Sequence, residues 1–400
     1  MRFLYIGLMI FLISCASKDI IHDSEVVSDY QTNNSSYIHG DIKEDISLCF
    51  IEYDEQGQLF ERKGREQLEN VIKHIKNRGQ NQQIFIYIHG WKHNSQNSDN
   101  NVKSFRKFLE KVKKSTKEKV TGIYIGWRGN SLKTSNQLIT LPTFWNRKDI
   151  SENIGHGSIL EFLLRIEEIS NKTKSSLVTI GHSLGASVLY TVLDPILRKR
   201  FIDFSHNHKK LRGFGDMVIL YNPAIEATRA NALKEMLKYY ESHNKQPFKN
   251  QKNPILIVLS GKKDCATNTI FPLGRRISTI FTTYSNKSGK EKDLKSLSNY
   301  KPFITHSIEA YDSISKYKNW ECDITSEDNF SLSKFKKQNT IIFKNTMIDL
   351  KYIGHSSPQN PYWFLYDNGD SIILKHNNLQ NRHTICLLLT LIHNVQQDKE

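Results

Sequence analysis

From residue 46 onwards, short runs of apolar residues alternate with longer segments in which apolar positions recur every three or four residues. The short runs are Ile46–Ile51, Ile84–Ile88, Val120–Ile125, Leu177–Ile180, Met217–Leu220 and Ile255–Leu259. Near-continuous apolar runs of this length are expected of strands covered on both faces. Helical spacing is read over about 64–77, 100–115, 158–170, 184–198, 227–241 and 382–395. After the first run, Asp54-Glu55-Gln56-Gly57 predicts a turn, with Gln58–Glu61 returning as the second strand of a hairpin. Near the other end, Trp363–Tyr366 and Ile372–Leu374 read as strands around a turn at 367–370. Strands alternating with helices predict an α/β fold with a mostly parallel central sheet and helices on both faces. No internal repeat is visible.

The N-terminus follows another logic. Arg2 is followed by an apolar run, Phe3–Ile13, and then by Ser14-Cys15-Ala16, the pattern of a secretory signal. That run is too short to span a bilayer as a stable helix. Leu12-Ile13-Ser14-Cys15 resembles the lipobox of bacterial lipoproteins. The resemblance implies removal of residues 1–14 and lipidation of Cys15, which would anchor the chain stably to a membrane. Ala16 stands where an Asp would direct retention at the inner membrane, which, if the cell is Gram-negative, implies an outer-membrane anchor facing the periplasm. Residues 15–45 are polar and predict a flexible tether, leaving 46–400 as one domain. Two insertions are expected in that domain. Residues 130–157 carry Phe144 and Trp145 and form either a lid or a surface loop folded onto the core; residues 268–350 are Lys-rich and long enough to hold structure of their own.

Composition narrows the partners. In 400 residues there are 56 Lys and Arg against 41 Asp and Glu, a formal charge of +15. An apolar share of 38% with 10% aromatics excludes wholesale disorder. The positive charge is spread over many segments and no nucleic-acid-binding module is visible, so no nucleic-acid partner is expected. What remains is a solvated surface, or attraction to anionic lipid head groups. Apart from Cys15, the cysteines are Cys49, Cys265, Cys322 and Cys386, and their spacing chooses no disulfide pairing. No motif implies a metal or a cofactor.

The motif that carries chemistry lies where a strand gives way to a helix. Gly181-His182-Ser183-Leu184-Gly185 follows the run 177–180 directly and opens the helix near 184. G-x-S-x-G in that context is a sharp turn that lifts a serine hydroxyl to the edge of a sheet. The helix N-terminus behind it favours the negative charge that develops in acyl transfer.

At this point the chain resembles the α/β-hydrolase superfamily. His89-Gly90-Trp91 after the run 84–88 resembles the turn that supplies an oxyanion donor in these enzymes, and the resemblance implies the backbone N–H groups of Trp91 and Leu184 as the pair. His89–Asn94, Asp99, Trp127-Arg128-Gly129 and Asn222-Pro223-Ala224 resemble a bacterial subgroup of largely unassigned substrate. In the superfamily the acid and then the histidine follow the serine along the chain. The acid is expected at Asp264, past the strand 255–259, where it would orient the base. Asp203 and Asp216 precede that strand and are poorer choices. The base is expected at His376, just before the last helix, with His355 as the alternative; His306 is expected to line the site without acting as base.

These readings converge on a serine hydrolase that cleaves an ester, a carboxylesterase or lipase-like enzyme acting on a small-molecule or lipid ester. The rivals are a thioesterase or peptidase, and a catalytically silent envelope protein that keeps the fold.

Overall fold

The apolar runs become strands because nearly all their side chains are buried, whichever face they point to. The computed structural model describes residues 20–31, 34–41, 45–129, 143–207, 210–245, 247–310, 322, 331–332, 340–343, 346–369, 371–377 and 381–397. Its strands are β1 (Ser28–Asp29), β2 (Ile38–Asp41), β3 (Ile46–Glu52), β4 (Gln82–Ile88), β5 (Lys119–Gly126), β6 (Ser176–His182) and β7 (Met217–Tyr221). They continue with β8 (Leu256–Gly261), β9 (His306–Ala310), β10 (Thr340–Phe343), β11 (Ile348–Tyr352) and β12 (Tyr362–Asp367). All join one twelve-stranded sheet in the order β1-β2-β3-β5-β4-β6-β7-β8-β12-β9-β11-β10. From β3 to β9 in that order every pairing is parallel; antiparallel pairings lie towards the two edges. Every residue of β3, β4, β6, β7 and β8 is buried.

Around the sheet lie α1 (Glu61–Asn77), α2 (Asn100–Ser115), α3 (Thr143–His156), α4 (Ile159–Lys172), α5 (Leu184–Asn207), α6 (Asn231–His243), α7 (Phe271–Ser278), α8 (Lys287–Leu294) and α9 (Arg382–Gln397). The fold is α/β, as the alternation predicts. The chain lays β4 between β5 and β6, so its course across the sheet reverses there. In open α/β sheets a crevice forms at such a reversal, outside the carboxyl ends of the strands. Register aligns those ends: Ile88 pairs with Gly181, His182 with Tyr221, and Gly261 with Asp367.

Several expectations are corrected. Residues 20–31 and 34–41, expected within a flexible tether, pack against the sheet. β2 pairs antiparallel with β3, and Tyr30, Tyr37 and Ile38 are buried. Polar contacts fasten this segment to the domain: His22 Nδ1 lies 2.7 Å from Glu52 Oε1, and Arg106 reaches His39 at 3.2 Å. The signal segment, Cys15 and the first residues after it lie outside the described residues. The hairpin after Gly57 shrinks to one bridge, Tyr53 to Leu59, because α1 begins at Glu61. Ile372–Leu374 is no strand. Asp367 Oδ2 takes the N–H groups of Ile372 and Ile373 at 2.9 and 2.7 Å, leaving them no ladder to join.

Part of the first insertion, Thr143–His156, is the helix α3; residues 130–142 lie outside the described residues. Arg147 and Lys148 sit buried within α3, paired with Glu55, Glu152 and Glu226. The described parts of the second insertion hold α7, α8, β9 and β10, with β11 beginning inside its far end. A disulfide joins Cys322 to Cys386 in α9, while Cys49 and Cys265 are free thiols. Among the described residues, no helix is long and apolar enough to cross a membrane.

Candidate active site

Two glycines set the local geometry where β6 turns into α5. A Cβ on Gly181 would lie 2.7 Å from Ala186 Cα, and one on Gly185 only 2.1 Å from the Ile88 carbonyl oxygen. Ser183, between them, adopts a left-handed φ of +54°, a conformation that costs a non-glycine residue of order 1–3 kcal/mol. Hydrogen bonds hold it there: Ser183 N–H donates to Tyr221 O at 3.0 Å, and Ser183 O accepts from Ala186 N–H at 3.1 Å and Ala224 N–H at 3.2 Å. The strained turn is therefore clamped from β7 and from the next chain segment.

The hydroxyl so presented meets an imidazole. His376 Nε2 lies 2.7 Å from Ser183 Oγ, and His376 Nδ1 lies 2.9 Å from Asp264 Oδ1. Asp264 is buried, and its carboxylate also accepts from the N–H groups of Ala266 and Thr267, and from Thr267 Oγ1 at 2.5 Å. Burial pushes the Asp264 carboxyl up. The charge and hydrogen bond of His376, with the Thr267 bonds, outweigh it and hold the pKa below the usual 3.8. The serine, histidine and aspartate singled out in the sequence thus form one hydrogen-bonded chain.

The other singled-out residues divide. The turn Gly90-Trp91 abuts the serine: a Cβ on Gly90 would sit 2.8 Å from Ser183 Cβ. The N–H of Trp91, and that of Leu184 at the first position of α5, have no hydrogen-bond acceptor among the described residues. His355 is not at the serine; it lines a separate cleft. Contrary to expectation, His306 does not line the site: it is buried against Trp363 and Tyr352, with ring centroids 4.7 and 5.3 Å away. Asp203 pairs with Lys199 on the surface, and Asp216 accepts from Leu177 N–H at the start of β6, the end of the strand away from Ser183.

Two positioning groups had no role assigned from sequence. His182 Nε2 and Asn222 Nδ2 each donate to the His376 carbonyl at 2.9 Å, tying the loop that carries the imidazole to β6 and β7. His182 occupies the variable place of G-x-S-x-G, and Asn222 opens Asn-Pro-Ala, so the motifs contained them without disclosing their task. Burial, then the like charge of His376, holds His182 well below its usual pKa, so it stays neutral. Asn222 takes a left-handed φ of +45°, which an Asn tolerates better than most residues.

The turn at Gly90 has its own support. His89 Nδ1–H donates to Gly90 O at 2.9 Å, His89 Nε2 accepts from Trp127 N–H at 3.1 Å, and Trp127 Nε1–H returns to His89 O at 2.9 Å. Lys92 N–H bonds to Gly129 O at 2.8 Å. His-Gly-Trp and Trp-Arg-Gly are therefore two halves of one structure. From Trp91 an aromatic row continues through Phe144, Trp145 and Phe271, with successive ring centroids 5.2 to 5.7 Å apart. Among the described residues, no cluster of side chains is arranged to hold a metal ion.

No protein family, curated protein or solved structure matches this chain.

Proposed function

We propose that this protein is a serine hydrolase on an α/β-hydrolase fold, cleaving a carboxylic ester through an acyl-enzyme. The observation that carries the reading is the continuous chain from Ser183 Oγ through His376 to Asp264. In the reaction, Ser183 Oγ attacks the ester carbonyl carbon while His376 Nε2 takes its proton. Asp264 fixes the imidazole with Nδ1–H facing the carboxylate and stabilises the imidazolium that forms. The carbonyl oxygen becomes an oxyanion, to which the N–H groups of Trp91 and Leu184 donate. Collapse expels the alcohol, which takes the proton from His376. Water then repeats the sequence on the acyl-serine and releases the acid. The bonds to the His376 carbonyl keep the imidazole in line throughout.

An ester with an apolar acyl chain is favoured by the aromatic row that begins at Trp91, beside the serine. The lipobox-like Cys15 would hold the enzyme at the cell envelope, within reach of such substrates. The test is a series of p-nitrophenyl esters of rising chain length, run beside a thioester and an amide. The reading predicts ester turnover that falls at least about 10³-fold in Ser183→Ala and in His376→Ala. Turnover unchanged in either variant, or confined to the amide, would overturn it.

A further inference from the structure

The exposed apolar residues of this protein are not scattered. Five of the thirteen large ones on the described surface fall within residues 270–281, and Ile277, Ile280 and Phe281 are 71%, 73% and 96% exposed. Their spacing, with Leu273, puts them on one side of α7 and the turn after it. The other side is held down: Phe271 is buried, a Cβ on Gly274 would strike the Trp145 ring at 2.2 Å, and Arg275 pairs with Glu226 and Asp293. The helix is thus fixed in a position that offers its apolar side to solvent. Contiguous apolar surface of this kind marks an interaction site, whereas single exposed residues do not.

Beside it lies a cleft of about 650 Å³ between α7, α8 and the turn after β12. Arg276, Lys287, Lys290 and Lys301 line it, and none has a carboxylate within ion-pair distance among the described residues. The one acid in the lining, Glu291, is engaged by Lys295. Cations in excess of the one carboxylate, beside a solvent-facing apolar helix, are the two halves of an interfacial membrane site.

We propose that the outer side of α7 and the adjoining basic cleft dock the protein on an anionic phospholipid bilayer. Ile277, Ile280 and Phe281 enter the acyl boundary, while Arg276, Lys287 and Lys290 receive head-group phosphates. A soluble phosphate would fill the cleft but leave the apolar side in water. A second copy of this chain would bring like charge, since the protein carries a formal +15. The bilayer answers both features. The packed aromatic row runs from Phe271 in the docked helix to Trp91, next to Gly90 at the serine. Docking needs neither the acyl anchor nor hydrolysis.

The test uses the full chain carrying Cys15→Ala, which no acyl group can anchor, with Phe281→Trp as reporter. With vesicles of brominated phosphatidylglycerol, the added tryptophan is expected to shift blue and be quenched. Phosphatidylcholine vesicles and high salt are expected to weaken both effects. In the parent chain, Ile277→Asp with Phe281→Asp, and separately Lys287→Glu with Lys290→Glu, are each expected to lower vesicle affinity at least about tenfold. Ser183→Ala is expected to bind as the parent does, which separates docking from catalysis. Three results would overturn the proposal: no quenching, equal quenching with neutral and anionic lipid, or a dimer in sedimentation that Phe281→Asp dissolves. Full competition by soluble glycerol phosphate would likewise assign the cleft to a free ligand.

Discussion

His376 is gripped at both ends, and that grip would let a loop residue serve the proposed reaction, which tolerates little misplacement. Its ring spans Ser183 and Asp264, while its carbonyl takes two hydrogen bonds, from His182 and Asn222. Substituting Asn222→Asp keeps the left-handed backbone but removes the donor and faces one oxygen with another. A fall in kcat of about 10- to 100-fold is expected, with KM nearly unchanged, because substrate binding does not involve this bond. Steady-state kinetics check it, and a rise in KM at constant kcat would show that Asn222 acts on binding instead. The residue scale is also where the sequence was most informative. Ser183 and Asp264 were legible because a strand precedes each, but His376 and His355 both fitted the spacing. Only the fold, which brings 376 to 183 and sends 355 to another cleft, decides between them.

At the scale of elements, the glycines matter through what they touch. A methyl at Gly90 would meet Ser183 Cβ at 2.8 Å, whereas one at Gly40 in β2 would meet nothing nearer than 3.9 Å. Gly90→Ala is therefore expected to lower the proposed esterase activity at least about 10²-fold by displacing the proposed oxyanion turn, and Gly40→Ala to leave activity within about twofold. Assays of the two purified variants, with circular dichroism to confirm folding, check the contrast. The strands that build the parallel sheet, and helices such as α2, could be read because their apolar positions follow the period of each element. Two kinds of segment could not. α3 buries Arg147 and Lys148 by pairing them, so its buried side reads as polar. Residues 20–41 read as tether because they use histidine and tyrosine, with Glu52 and Arg106 as partners, in place of aliphatic residues. Periodicity sees burial only where burial is apolar.

The whole molecule inherits a pH dependence from such buried histidines. Burial lowers His89 from 6.5 to about 4 and His306 to about 3, and His39 and His74 are both shifted to about 4 with burial as the largest cause. In the unfolded chain each would take up a proton near 6.5; in the folded chain each resists until its lowered value. Stability is therefore greatest above pH 6.5 and falls as pH drops towards 4. Each of His89 and His306 contributes up to about 1.4 kcal/mol per pH unit to that slope. Urea unfolding at a series of pH values checks this, and His306→Gln is expected to flatten the slope. A flat profile between pH 6.5 and 4 would contradict it. The net charge, +15, becomes more specific at this scale. Many of the cations are paired along helices or within the ion clusters of α3, while Arg276, Lys287, Lys290 and Lys301 of the cleft by α7 have no carboxylate within ion-pair distance among the described residues.

The central claim is that Ser183 is a nucleophile activated by His376, and covalent trapping tests it most directly. A fluorophosphonate that phosphonylates activated serines should add once to the protein, on the peptide containing Ser183, as read by mass spectrometry. The account predicts no adduct in Ser183→Ala and labelling slowed at least about 10³-fold in His376→Ala. An adduct that persists in Ser183→Ala, or a wild-type chain that takes up no label, would contradict it.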